Sequence, residues 1–273
     1  MSTFQYRRHR LTYEVHGEGP KVFVFVHGLL LDAALNRHMG RMLAERGHKV
    51  VLLELLGHGR SDKPTHAYEH RLEFFAEQVI ALLDHLEIDE AVVGGVSLGA
   101  NVSLQVAATA PDRLRGIVAE MPVLERGTVA AAIQFAPLLL AFRYAAPVVR
   151  IGTRLMRALP RTRFDPLNSF MNLLSADPRE MAAVLHGMFV GPGTPPARVR
   201  REIEVPALVV GHPHDLLHAL DDADALAAEL PNSRFVRARS LFEARTRPAR
   251  IVGEISDFLD EVWAPTLAAA REA

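Results

Sequence analysis

The chain has 273 residues, 49% of them hydrophobic, a formal net charge of -1 and no cysteine. That length can bury a substantial core, as one large α/β domain or as a core with an insertion. The near-neutral balance supplies no electrostatic footprint for nucleic acid, and the missing cysteines exclude disulfides and thiolate chemistry.

Met1 to Pro20 carries Arg7, Arg8, His9 and Arg10 without an apolar stretch, so no secretory signal is expected and a cytoplasmic location is the reading. Phe4 to His9 and Leu11 to His16 alternate apolar and polar residues, the pattern of a half-buried antiparallel hairpin. Val22 to Val26 is a continuous β-branched and aromatic run, which reads as a strand buried on both faces of a parallel sheet. Leu35 to Arg46 reads as a helix closed by Gly47, and Val50 to Leu55 as a second buried strand. Gly57 to Pro64 is a turn-rich loop. Arg71 to Leu86 spaces Leu72, Phe75, Val79, Leu82, Leu83 and Leu86 as one helical face and leads into the strand Ala91 to Val93. Strand and helix alternate, which predicts a mostly parallel sheet covered on both faces.

Gly95-Val96-Ser97-Leu98-Gly99 stands between that strand and a helical stretch from Ala100 to Ala110. A G-x-S-x-G at such a junction has the form of a nucleophile elbow, a strained turn that lifts the Ser hydroxyl clear of the sheet. The glycines flank it because side chains there would crowd the turn. The Leu98 N–H would then point at a developing oxyanion.

Together with His27-Gly28, the Gly57 to Pro64 loop and Val205 to Gly211 followed by Asp215, this motif resembles the α/β-hydrolase superfamily, over about Val22 to Leu259. The resemblance implies an α/β-hydrolase core at 1–123 and 200–263 with a helical cap at 124–199. It implies Ser97 as nucleophile, Asp215 as the acid that orients an imidazole, and Leu29 with Leu98 as the oxyanion donors. His27 is expected to be structural, His58 to stabilise its turn, and Asp62 to cap or form a salt bridge. A Ser at the elbow argues against the halide- and epoxide-opening members, which carry Asp there.

The 124–199 segment is rich in Ala, Leu, Met and Pro. Thr128 to Phe142 is uncharged, broken by Pro137, and at about 15 residues is short of the ~20 that span a bilayer. A cap lining an apolar pocket is the favoured reading, with a membrane-touching cap as the alternative. Gly191 to Pro196 reads as the connection back to the core.

The base is the open position. With Arg234 to Arg239 as the last strand and Pro248 with Ile251 to Leu259 as the register, the superfamily's His position falls on Leu241, and no His follows His218. A Ser without a base is a poor nucleophile. Three explanations stand side by side: a non-catalytic binding or accessory protein, another base, or an engineered Leu241. The candidates for that base are His186, His212, His214, His218, and Glu243 if burial raises its pKa. His212, His214, Asp215 and His218 also form an H-x-H-D-x-x-H cluster, which raises metal binding as an alternative, with His218 merely packing near the next helix as the plainer one. Arg239 and Arg245 stay protonated and cannot be bases.

An active chain would cleave an ester, thioester or lactone with a hydrophobic moiety, without a metal or organic cofactor. The expected partner is a small hydrophobic substrate or ligand, with no nucleic acid and no stable membrane insertion. Trp263 would pack on the core or serve an interface, and Ala264 to Ala273 would fray.

Overall fold

Eight strands, β1 (Ser2–Tyr6), β2 (His9–His16), β3 (Val22–Val26), β4 (Lys49–Glu54), β5 (Ala91–Val96), β6 (Leu114–Glu120), β7 (Ala207–Gly211) and β8 (Ser233–Arg237), form one sheet. Its order is β1-β2-β4-β3-β5-β6-β7-β8. β1 and β2 pair antiparallel, β2 joins β4 antiparallel, and every other pairing is parallel. This is the α/β-hydrolase fold. The computed structural model describes residues 1–213, 215, 217–218 and 220–264. His214 and the tail beyond Ala264 lie outside them.

The helices are α1 (Arg37–Ala44), α2 (Leu72–His85), α3 (Leu98–Thr109), α4 (Glu125–Tyr144), α5 (Ala146–Ala158), α6 (Asp165–Leu174), α7 (Pro178–Val190), α8 (Ala197–Arg200), α9 (Leu220–Glu229), α10 (Glu243–Thr246) and α11 (Ala249–Trp263). Phe75, Val79 and Leu82 of α2 and Leu104 of α3 cover one face of the sheet. Leu43 of α1 with Ile251, Ile255 and Phe258 of α11 cover the other. Both faces are therefore dry, which is why β3, β5 and β7 read as unbroken apolar runs. Each fully buried Phe or Leu contributes roughly 1.5–3 kcal/mol by leaving water. Trp263 packs on the core at the end of α11, and Arg115 lies over its ring.

Helices α4 to α7 stand between β6 and β7 and are tied to the core at both ends. Asn101 of α3 accepts from the Val123 N–H and donates to the carbonyls of Val123 and Gly193. Asp222 of α9 accepts from the N–H groups of Leu124 and Gly127, satisfying orphan donors at the start of α4. The fully buried Arg200 bridges Glu125 and Glu229. A third apolar cluster joins Met181, Val184 and Leu185 of α7 to Phe135 and Leu138 of α4 and to Leu30.

The expected break at Pro137 does not occur. α4 runs 20 residues through it. Pro137 is exposed, so water can take the Ile133 carbonyl that the missing N–H leaves unpaired. The helix after the elbow also starts earlier than its apolar pattern suggests, at Leu98, directly after Ser97.

Candidate active site

The site is assembled at the carboxyl ends of β3, β5, β6 and β7, where an open α/β sheet leaves its crevice. Ser97 follows β5 with φ 56° and ψ -111°, a left-handed, strained backbone for a non-glycine residue. A Cβ on Gly95 would collide with the backbone of Gly99, and one on Gly99 with the Val26 carbonyl. Both elbow glycines are thus demanded by close backbone approach.

Beyond β7, Asp215 and His218 lie in one loop three residues apart. The Asp215 carboxylate accepts from the N–H groups of Leu217 and His218, which folds the loop back on itself. That fold brings His218 Nδ1 to 2.6 Å from Asp215 Oδ2 and His218 Nε2 to 2.8 Å from Ser97 Oγ. Burial works to raise the Asp215 carboxyl, and the His218 imidazole with the two N–H groups outweighs it, holding the carboxyl down at about 2. Asp215 is therefore an anion at neutral pH. It fixes the His218 proton on Nδ1 and leaves Nε2 as the acceptor for the Ser97 hydroxyl.

The remaining candidates go elsewhere. His186 is exposed on α7. His212 is buried and turned down into the protein, with Nδ1 facing the Ser240 and Leu241 carbonyls and Nε2 3.2 Å from Glu120. Glu243, expected to act only with a raised pKa, has a lowered one. Its ion pair with Arg250 at 2.8 Å and the Arg239 N–H stabilise the charged form against the opposing effect of burial. Leu241 takes no part in hydrogen bonding through its side chain and lines the cavity instead. The plain packing role for His218 is thereby corrected. Among the described residues no three His, Asp or Glu side chains are grouped to hold a metal ion.

His27 accepts the Leu55 N–H through Nε2 and contacts the Gly28 carbonyl through Nδ1. It braces the β3 and β4 loops and does not face Ser97. His58 closes its own turn on the Leu56 carbonyl, and Asp62 accepts from the Arg10 N–H. Leu29 N–H makes no hydrogen bond among the described residues. Leu98 is the first residue of α3, where an N–H has no intrahelical acceptor.

A cavity of about 480 Å³ opens beside Ser97, Asp215 and His218, walled by Leu31, Leu35, Phe135, Leu138, Phe170 and Leu241. A second, of about 140 Å³, shares Ser97, Leu29, Phe135 and Leu217 with the first and runs toward Val123 and Met188. Ser97 thus sits where two apolar spaces meet.

Sequence reasoning passed over the floor of this site. Glu120, at the end of β6, is 1% exposed and pairs with Nη1 and Nη2 of Arg245, at 3.1 and 2.8 Å. Burial works to raise the Glu120 carboxyl, and Arg245 and His212 overcome it, holding the group at about 2. Burial likewise works to lower His212, and Glu120 outweighs it and raises the imidazole above its ordinary value. The available signal was a Glu closing the apolar run Gly116 to Ala119. A charge there demands a partner.

The model of the family described as alpha/beta hydrolase fold matches residues 21–239. The chain belongs to the alpha/beta hydrolase family. Its curated relatives match in part. The dihydrolipoyllysine-residue acetyltransferase component of the acetoin cleaving system of Pseudomonas putida is 41% identical over 107 residues, 38% of this chain and 28% of that protein. A haloalkane dehalogenase of Mycolicibacterium paratuberculosis is 31% identical over 114 residues, 41% of this chain and 38% of that one. These matches thus span about a third of those relatives' lengths. Among solved alpha/beta hydrolase structures, the enol-lactonase of Burkholderia xenovorans LB400 superposes with a TM-score of 0.77 at 21% identity, covering 94% of this chain and 99% of that one. A hydrolase of Pseudomonas aeruginosa PA01 gives 0.75 at 22%, covering 94% and 97%.

Proposed function

We propose that this alpha/beta hydrolase is a serine hydrolase that cleaves carboxylic esters, thioesters or lactones with a hydrophobic moiety, using Ser97, His218 and Asp215. One observation carries the reading: a single imidazole lies 2.8 Å from Ser97 Oγ and 2.6 Å from the Asp215 carboxylate. Nucleophile, base and orienting acid are thereby linked in hydrogen-bond reach.

In this mechanism His218 Nε2 takes the Ser97 proton as Oγ bonds to the substrate carbonyl carbon. The carbonyl oxygen becomes an oxyanion held by the N–H groups of Leu29 and Leu98. His218, now an imidazolium stabilised by Asp215, gives its proton to the leaving oxygen or sulfur as that bond breaks. Water then attacks the acyl-Ser97 ester as His218 takes a proton from it, and His218 returns that proton to Ser97 Oγ as the C–Oγ bond breaks and the acid leaves. The unequal cavities support a substrate with one large and one small apolar arm on either side of the reacting carbonyl. Most of their lining residues are apolar, so burial of apolar area supplies most of the binding energy.

The test is hydrolysis of p-nitrophenyl esters of increasing acyl length by wild type and Ser97→Ala. The reading expects turnover that rises with chain length and disappears in Ser97→Ala. Equal turnover by both proteins, or none by wild type, returns the chain to the non-catalytic binding protein.

A further inference from the structure

We propose that the outer face of α4 and α5 docks on an anionic lipid surface. α4 is 20 residues long, about 30 Å at 1.5 Å per residue. Its most apolar stretch has a mean hydropathy of 1.3, yet 6% of that stretch is buried in the protein. One side, through Phe135, Leu138, Leu139 and Phe142, packs on Leu30 and α7. The other leaves Val129, Ile133, Leu140 and Tyr144 at 62, 71, 56 and 79% exposure. α5 repeats this at helical spacing, with Val148, Ile151 and Leu155 each more than 60% exposed. An apolar surface of this extent on a soluble face marks an interaction site. Because one side of α4 is committed to the protein, the helix lies along the insertion and meets a bilayer as an interfacial helix does, flat and partly sunk.

Charge selects the occupant. From Arg143 to Arg163 the sequence carries six arginines, at 143, 150, 154, 157, 161 and 163, and no acidic residue. Arg150 reaches Asp177, and Arg157 and Arg161 bond to the 172–175 turn. Arg143, Arg154 and Arg163 have no ion-pair partner among the described residues. Lipid phosphates supply the missing anions, and long arginine stems let the guanidinium reach them while the neighbouring apolar side chains enter the acyl region. A second copy of the chain is a poor occupant, since a two-fold contact sets this arginine run against itself. Phe164, at the N-cap of α6, and Phe170 on that helix add further exposed apolar side chains at the rim of the cavity beside Ser97.

Docking does not require the chemistry at Ser97, so the test separates the two readings. The full chain, as wild type and Ser97→Ala, is sedimented with vesicles of phosphatidylcholine alone and of phosphatidylcholine mixed equally with phosphatidylglycerol. Both proteins are expected to partition about tenfold more strongly onto the anionic vesicles, with the preference shrinking at high salt. Ile133→Asp with Ile151→Asp, outside both cavities, is expected to abolish sedimentation while keeping the wild-type thermal melt. Arg143→Gln, Arg154→Gln and Arg163→Gln together are expected to erase the anionic preference. Equal binding by wild type and the aspartate variant, or no binding to either vesicle, overturns the proposal. So does a dimer that the aspartate variant dissociates in the absence of vesicle binding.

Discussion

The loops after β7 and β8 are neighbours at the same edge of the site, and they have divided the work unequally. The β7 loop holds a carboxylate and an imidazole within three residues, and the imidazole faces Ser97 with the carboxylate behind it. The β8 loop spends its polar groups inward: its Ser240 and Leu241 carbonyls face His212, and Glu243 is locked to Arg250. It offers the cavity Leu241 and Phe242, with Ala244, Arg245 and Thr246 of α10 following them along the wall. The difference teaches that the hydrogen-bonded position beside Ser97 Oγ can be reached from more than one loop. On the proposed mechanism, an imidazole arriving from the acid's own loop takes the place that the sequence register assigns to the next strand's loop.

Substitutions of equal chemistry in the two loops sharpen this contrast. Asp215→Asn keeps the shape but frees the His218 tautomer, and kcat is expected to fall by about 10⁴, whereas Glu243→Gln leaves kcat/KM unchanged. Loss of activity in Glu243→Gln would move the chemistry to the β8 loop. The pH profile follows from the same geometry. Asp215, at about 2, stays charged well below neutrality, so its ionisation contributes nothing to the fall in kcat/KM between neutrality and about pH 4. An Asp215→Asn variant that changes the shape of the profile in that range would contradict it.

Under both loops, Glu120→Gln leaves the largely enclosed Arg245 without its counter-charge. Urea unfolding is expected to show about 3 kcal/mol less stability at neutral pH. Since folding lowers the Glu120 pKa from 4.5 to about 2, its contribution is complete above about pH 4.5 and is lost as the pH falls toward 2. Wild type and variant should therefore converge in acid. The smallest effect is expected from Leu241→His, which adds an imidazole to a loop that the proposed mechanism does not use. No gain in kcat/KM should follow, and a large gain would show that the β8 loop is the natural seat of the base.

Much of this was legible in the residues. Strand and helix order and the elbow turn at Ser97 are local patterns, written in apolar periodicity and in glycines that backbone contact demands. The partnership of His218 was not. The same H-x-H-D-x-x-H string suits a metal cluster, a packed loop or a relay, and the choice depends on how the Asp215 carboxylate turns the following N–H groups inward. Glu120 escaped notice for a related reason: its partners, His212 and Arg245, lie 92 and 125 residues further along the chain. The continuity of α4 through Pro137 depended on exposure, which periodicity does not report.

The most direct test of the account is the second-order rate at which a fluorophosphonate labels Ser97, followed by mass spectrometry in wild type, His218→Ala and Leu241→Ala. If His218 is the base, its loss slows labelling by at least about 10⁴, while Leu241→Ala labels at a rate near wild type. Labelling of His218→Ala at the wild-type rate would contradict the assignment and send the search for the base elsewhere in the site.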